Sequence, residues 1–458
     1  MKLRLPFSFI IAALLLVCAA PLVKAQQWKA GLAKVVITPD RPVWLAGYAA
    51  RTKPSEGKIH DLYAKALALE DAKGNRLVIV TTDLLGFPRP VAEAIADEAK
   101  RRFKLSRQRL ALTSSHTHTG PVVGHSLNGA YDLNAEQVAA VQAYTAELQR
   151  KVVAVIGEAL RNLKPARLSF GHSEAGFVMN RRQRQQSNVS IGVNEKGLVD
   201  RDVPVLRIES LTGELRGVLF GYACHNTTLT GEFYQFSGDY AGFAQAGLEK
   251  SHPGAQAMFV MGCGADANPN PRSRLEYAIA HGAELAQAVE QALTGKMQPL
   301  RGSLSTAFAR LPLQLTSPSR AEFQARLHEK DVYRKRHAER WLARLDRDGK
   351  LDLTYPYPVQ VAQLGDGLTF IALGGEVVVD YVLRLKKEFG ADKLWVAGYS
   401  NDVMAYIPSV RILDEGGYEA EGAMIYYDLP GRWAADVEEK IIGKVHELVR
   451  ECRRGSGK

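Results

Sequence analysis

The stretch RLALTSSHTHTGP, residues 109–121, joins a strand to a pair of histidines. Its first five residues read as a buried strand, and the chain then breaks into hydroxyls, imidazoles and a Gly-Pro stop. In extended chain, residues i and i+2 project to the same side, so His116 and His118 can reach one point. That pair suits a metal ligand together with a second ligand or a proton-transfer partner. Two hydrogen-bonded histidines in a turn are the competing reading of the motif taken alone.

Outward from this segment the hydrophobic period switches repeatedly between two and 3.6. Strands are expected at residues 65–71 and 77–82 around the turn Lys73-Gly74-Asn75, at 203–208 and 218–223 around Thr212-Gly213-Glu214, and at 257–261. Helices are expected at 90–103, 135–163, 240–250 and 274–293, the second ending before Pro165. Farther on, 303–315, 359–364, 368–373 and 393–397 read as strands, and 377–389 and 434–449 as helices. Residues 319–348 form a highly charged helical excursion over the surface. Interleaved strands and helices, without repeats or a Pro/Ser/Gly-rich linker, predict an α/β fold: one large unit over 26–458 with mixed β-sheets flanked by helices.

The 458 residues are 46% hydrophobic and 24% charged, which excludes disorder and fibrous classes. The net charge is +10, of which Lys2, Arg4 and Lys24 supply three, leaving +7, too dilute to imply nucleic-acid binding. Residues 1–25 carry a basic start, an apolar run and Val23-Lys24-Ala25, the pattern of a secretory signal peptide. The mature chain is expected to be secreted or periplasmic, with no membrane-spanning run; peripheral membrane contact stays open, and no protein partner is implied. Removal of Cys18 with the signal leaves Cys224, Cys263 and Cys452, an odd number, with a Cys224–Cys263 bridge allowed but not required.

Three further strand ends carry polar groups. His225 follows VLFGYAC, Glu376 follows FIALGG, and Tyr406 lies in a polar stretch after LWVA. Singly, each has a plain structural reading: a satisfied core histidine, a first-turn acid of the helix at 377–389, and a packing tyrosine.

Together with Gly31-Leu-Ala-Lys-Val-Val-Ile-Thr-Pro39, Leu45-Ala-Gly-Tyr48, Asn180-Arg181, Ser237-Gly-Asp239 and Tyr418-Glu419, these segments resemble, in order, the N-terminal catalytic domain of the neutral ceramidases. The resemblance implies Zn²⁺ held by His116, His225, Glu376 and Tyr406, a donor set suited to that ion. It places His118 beside the metal or against the scissile group as a proton carrier, and Arg181 and Tyr418 along the substrate site, where either could stabilise an oxyanion. The substrate it implies is a small or lipid-like N-acyl compound cleaved by a zinc-activated water.

Two departures stand out. Ceramidases carry a serine in Gly-Asp-x-Ser-Pro-Asn, whereas here Gly264-Ala-Asp266-Ala-Asn268-Pro-Asn270 sets Asn268 in the serine's place. Zinc-water chemistry does not need that serine, so amide hydrolysis is expected of ceramide or of another N-acylated compound. Family members also continue into an immunoglobulin-like domain, and here the last residues read as one helix. An ester, lactone or carbohydrate-linked substrate, or a non-catalytic binding protein on the same fold, are the alternatives.

Overall fold

Three β-α-β crossovers set the architecture of the computed structural model, which describes residues 28–185 and 188–456; the expected signal peptide lies outside the described residues. The strands are β1 (Trp28–Val36), β2 (Tyr63–Glu70), β3 (Arg76–Thr82), β4 (Leu110–Ser114), β5 (Lys164–Glu174), β6 (Val178–Gln185), β7 (Asn188–Asn194), β8 (Asp202–Glu209), β9 (Leu215–Tyr222) and β10 (Gln256–Met261). After the short β11 (Ala267–Pro269) and β12 (Gln298–Pro299) come β13 (Leu304–Gln314), β14 (Thr354–Leu364), β15 (Leu368–Leu373), β16 (Glu376–Val377), β17 (Leu394–Ala397) and β18 (Tyr406–Ile407).

A nine-stranded sheet runs β10-β9-β8-β5-β1-β2-β3-β4, with β12 beside β5, and a four-stranded sheet runs β13-β14-β15-β17. Antiparallel neighbours dominate both sheets. The parallel pairs are β3/β4, β9/β10 and β15/β17, joined through helices Arg89–Phe103, Asp239–Ser251 and Val379–Phe389. A parallel connection must cross over, and a helix laid on the sheet is the compact way to do it.

Strand alternation sorts the side chains into layers. Leu67, Leu69, Leu77 and Ile79 pack with Leu219, Val260, Phe370 and Trp395 in a core between the two sheets. Their neighbours Ala66, Ala68, Val78 and Val80 face the opposite way, onto Ile95, Leu148, Val152 and Ile156 of two helices. Val359, Val361 and Ile371, on the outer face of the smaller sheet, pack on Leu385, Ile441 and Val445. The result is a helix–sheet–sheet–helix stack, each layer burying one apolar face. Strand β10 also lies against β3 and β4, so the ends of the larger sheet approach each other. Bridges Thr113–Ser400 and Gly262–Ala397 tie them to the end of β17.

Most expected elements form with ends displaced by one or two residues. Helix Ala135–Arg161 opens on a capping box of Asn134 and Gln137 and stops short of the expected residue 163, just before β5 begins at Lys164. Strands β1, β5, β6 and β7 are not among the expected elements; β6 in particular, VMNRRQRQ, buries asparagine and arginine rather than alternating aliphatics. Residues 376–377 form a strand rather than the first turn of a helix, which begins at Val379. Cys224 and Cys263 are buried and no bridge joins them. The charged excursion is two helices, Arg320–Arg326 and Val332–Asp348, closed on a small core of Phe323, Ala338 and Trp341.

Candidate active site

Every expected metal-facing residue follows the C-terminal end of a strand in a parallel pair, the usual place for a ligand in an α/β sheet. His116 follows β4, His225 follows β9, Glu376 follows β15, and Tyr406 lies in the loop after β17. The parallel pair β16/β18 sets Glu376 directly beside Tyr406 in register. Gly375 makes this possible: its φ is +72°, and a Cβ there would meet Ile407 Cγ1 at 2.6 Å and the Ala405 carbonyl at 2.7 Å.

The convergence of His116 and His118 is real, but its cause differs from the expected pleat. Strand β4 ends at Ser114, and His116 takes a left-handed conformation with φ 58°. A non-glycine residue held there stores strain of order 1 kcal/mol or more. The turn brings His116 Nε2 and His118 Nε2 to 3.1 Å. Gly47 gives His118 its room, since a Cβ at residue 47 would meet the imidazole Nδ1 at 2.3 Å.

Within two of the crossovers, one strand end supplies the imidazole and the neighbouring strand end fixes it. His116 Nδ1 is 2.7 Å from the Leu85 carbonyl beyond β3, and His225 Nδ1 is 2.9 Å from the Gly264 carbonyl beyond β10. A carbonyl only accepts, so both Nδ1 atoms donate and both Nε2 atoms keep a free lone pair. Those two nitrogens lie 3.1 and 3.0 Å from one oxygen of Glu376, Oε2, which has no hydrogen-bond donor. The other carboxylate oxygen accepts from the Tyr427 hydroxyl. With both rings neutral, these three atoms are all acceptors facing one another in a buried space, an arrangement that suits a cation. One ring nitrogen from each of His116, His118 and His225 lies within 4.8 Å of the others.

Burial dominates the electrostatics of this set. Burial, with the Arg181 charge, drives His225 down to about 4. Burial and the neighbouring imidazoles push His118 well below its ordinary range. Burial raises the Glu376 carboxyl, but His116 and His225 outweigh it and hold it well below the carboxylate range. Burial pushes Tyr406 well up, against the pull of Arg181. Its hydroxyl is 3.3 Å from His225 Nε2 and accepts from Arg181 at 3.0 Å.

A cavity of about 300 Å³ opens over the cluster, lined by His118, Glu376, Tyr406, Arg181, Tyr418 and Asn268, among others. Of the three clustered histidines, His118 is the one in the lining. All three nitrogens of Arg181 are engaged: Nε with Glu419 at 2.8 Å, one terminal nitrogen with Tyr406, the other with Asn268 Oδ1 at 3.4 Å. Thr227 donates to the same oxygen at 3.4 Å, so Asn268 keeps its amide N–H groups to offer. Glu419 also accepts from Arg182 at 2.6 Å. The expected site residues therefore all gather here. Sequence reasoning gave no role to Tyr427, Glu419, Tyr48 or Arg272, though the paired arginines Arg181-Arg182 in a buried strand were a signal that a carboxylate must meet them. The charged helices press on the segment that carries Tyr427: Arg344 binds Asp428 at 2.6 Å and His337 donates to the Leu429 carbonyl at 2.6 Å.

Residues 28–302 match the family described as neutral/alkaline non-lysosomal ceramidase, N-terminal. The chain is 28% identical over 253 residues to a neutral ceramidase of Pseudomonas aeruginosa, covering 53% of this chain and 37% of that protein. It is 25% identical over 252 residues to neutral ceramidase A of Dictyostelium discoideum, covering 50% and 34%. The matched stretch is thus little more than a third of those relatives' length. Among solved structures, the crystal structure of neutral ceramidase from Pseudomonas aeruginosa superposes with a TM-score of 0.72 at 19% identity, covering 94% of this chain and 75% of that one. A structure titled ceramidase complexed with C2 gives 0.71 at 17%, covering 93% and 76%. At these identities the structural likeness is one of fold, a mixed α/β unit.

Proposed function

The chain belongs to the neutral/alkaline non-lysosomal ceramidase family, and from that premise we propose that it is an exported, zinc-dependent hydrolase that cleaves an N-acyl amide. The observation that carries the reading is the convergence of His116 Nε2 and His225 Nε2 on Glu376 Oε2, at 3.1 and 3.0 Å in a buried space. These three, with the Tyr406 hydroxyl, would hold Zn²⁺. Bound there, the ion supplies a Lewis acid and a nucleophilic water at neutral pH.

The chain's own groups do the rest. The Leu85 and Gly264 carbonyls keep the Nδ1 protons in place, so the Nε2 lone pairs stay aimed at the centre. Tyr427 fixes the Glu376 carboxylate from its far oxygen. In hydrolysis the acyl C–N bond breaks, the water oxygen joins the acyl carbon, and a proton reaches the departing nitrogen. His118 faces the cavity beside the cluster and is placed to carry that proton. Arg181, Tyr418 and the Asn268 amide supply donors for charge growing on the acyl oxygen. Export rests on the reading of residues 1–25. Among the described residues no helix is long and apolar enough to cross a membrane.

Elemental analysis of the purified protein tests the reading, with His225→Ala as its control. About one zinc per chain is expected, with both metal and amine release from N-acyl substrates lost in the variant. Zinc retained by His225→Ala, or no zinc after incubation with excess ion, would overturn it. Release of free amine, read with an amine-reactive dye, separates amide from ester cleavage.

A further inference from the structure

One guanidinium in the cavity wall forms no ion pair among the described residues, although Asp239 and Glu232 lie near enough to feel its charge. Arg272 lines the same cavity as His118 and Asn268. Among the described residues it forms no salt bridge, and its one hydrogen bond runs to the Tyr48 hydroxyl at 3.0 Å. Its Nε is buried and has no partner. Asp239 feels its charge but gives its oxygens to the Leu229 and Tyr240 backbone N–H groups at 2.8 and 2.6 Å. Arg181 across the cavity is the contrast, with all three nitrogens engaged and Glu419 as counter-ion. Leaving a charged donor unsatisfied at a buried site is costly, and sites that do so commonly complete the pairing with a ligand.

The position of Arg272 is fixed rather than loose. Asn270 N–H bonds the Phe177 carbonyl at 2.9 Å, His281 donates to the Pro271 carbonyl at 2.7 Å, and Ser273 N–H bonds the Thr228 carbonyl at 2.8 Å. The neighbouring Tyr48 ring packs on His118 with centroids 4.8 Å apart. One tyrosine ring therefore separates the free guanidinium from the imidazole that faces the scissile bond. The charged lining is Arg181, Arg272 and Glu376, and of the two arginines only Arg181 is ion-paired, with Glu419. The cavity volume is at the low end for small-molecule sites.

We infer that Arg272, held in place by the Tyr48 hydroxyl, binds a carboxylate on the amine half of the substrate, so that the amide cleaved is that of an N-acyl amino acid rather than of a neutral amino alcohol. A guanidinium matches a carboxylate with two parallel hydrogen bonds, and an adjacent carboxylate lies only two bonds from the amide nitrogen of such a substrate. This inference rests on the amidase reading for its catalytic test, though not for its binding test.

N-lauroylglycine and N-lauroylethanolamine share an acyl chain and differ in that carboxylate. The ratio of their kcat/KM values is expected to favour the glycine compound in the native enzyme and to fall about 10- to 100-fold in Arg272→Gln, mainly through KM. Arg272→Lys is expected to restore part of the ratio. Equal losses on both substrates, or an unchanged ratio, would overturn the inference while leaving the amidase reading intact. Calorimetric titration of the zinc-loaded protein with N-lauroylglycine provides a readout independent of turnover. Binding weakened at least about tenfold in Arg272→Gln, with zinc content and Tm retained, supports the inference even if neither amide is cleaved, in which case the amidase reading is the one that fails. Equal binding by both proteins overturns it.

Discussion

Glu419 shows how much of the site depends on a residue that touches neither the cluster nor its expected ligands. Its two oxygens each hold a buried guanidinium, Arg181 on one side and Arg182 on the other. Arg181 in turn donates to Tyr406 and Asn268, so Glu419 positions three groups that line the cavity. Glu419→Ala leaves two buried cations facing each other, and a buried pair broken on one side typically costs about 3–5 kcal/mol. Urea denaturation should read a loss of that order, with zinc content retained in whatever fraction stays folded. A change below about 0.5 kcal/mol, the size of an ordinary surface substitution, would mean that Glu419 is not the counter-ion of the pair.

At the scale of elements, the charged helical pair has a definite mechanical contact. His337, on helix Val332–Asp348, donates to the Leu429 carbonyl just beyond Tyr427. Burial lowers the His337 imidazole to about 4, against the opposing pull of that carbonyl. An unfolded histidine titrates near ~6.5. Between those values the unfolded chain binds more protons than the folded one, so stability from this residue is intact above ~6.5 and is lost as pH falls toward about 4. Thermal unfolding of the native protein and His337→Gln at pH 7 and pH 4.5 checks the sign: the native protein should lose more Tm on acidification than the variant. Equal losses would place the acid sensitivity elsewhere.

Elements are also where sequence and structure part company most clearly. The polar strand ends were visible because a hydrophobic run that stops in histidines or in Gly-Gly-Glu has a recognisable grammar, and the family resemblance joined them. What stayed hidden was carried by backbone and by polar strands. The carbonyls of Leu85 and Gly264, which fix the imidazoles, have no residue signature at all. The left-handed turn at His116 obeys tertiary packing over local preference. Strand β6 carries Arg181, yet its pattern lacks the alternation that marks a strand, because its buried positions are satisfied by hydrogen bonds and ion pairs instead of by apolar contact. Arg272 was unremarked for the same reason: a lone arginine in a loop says nothing until its missing partner is seen.

Over the whole molecule, the helix–sheet–sheet–helix stack brings the ends of two sheets to one spot, and that has a consequence for how the protein comes to be. His116, His225, Glu376 and Tyr406 are strung along more than half the sequence, and no two neighbours in that order lie on one continuous hairpin or helix, the pairing of Glu376 with Tyr406 included. Closing such long loops is entropically costly until the sheets that hold their ends exist. A cation held there would not act as a template that gathers an unfolded chain, as it does in a zinc finger; it would be the last part to arrive. The metal-free protein should already show native circular dichroism, and zinc at a hundredfold excess over its Kd should add about 2.7 kcal/mol to its stability. A chain that gains its secondary structure only when zinc is added would reverse that order of events. Otherwise, retention of the ion amounts to a certificate of completed folding, issued only after both sheets have met.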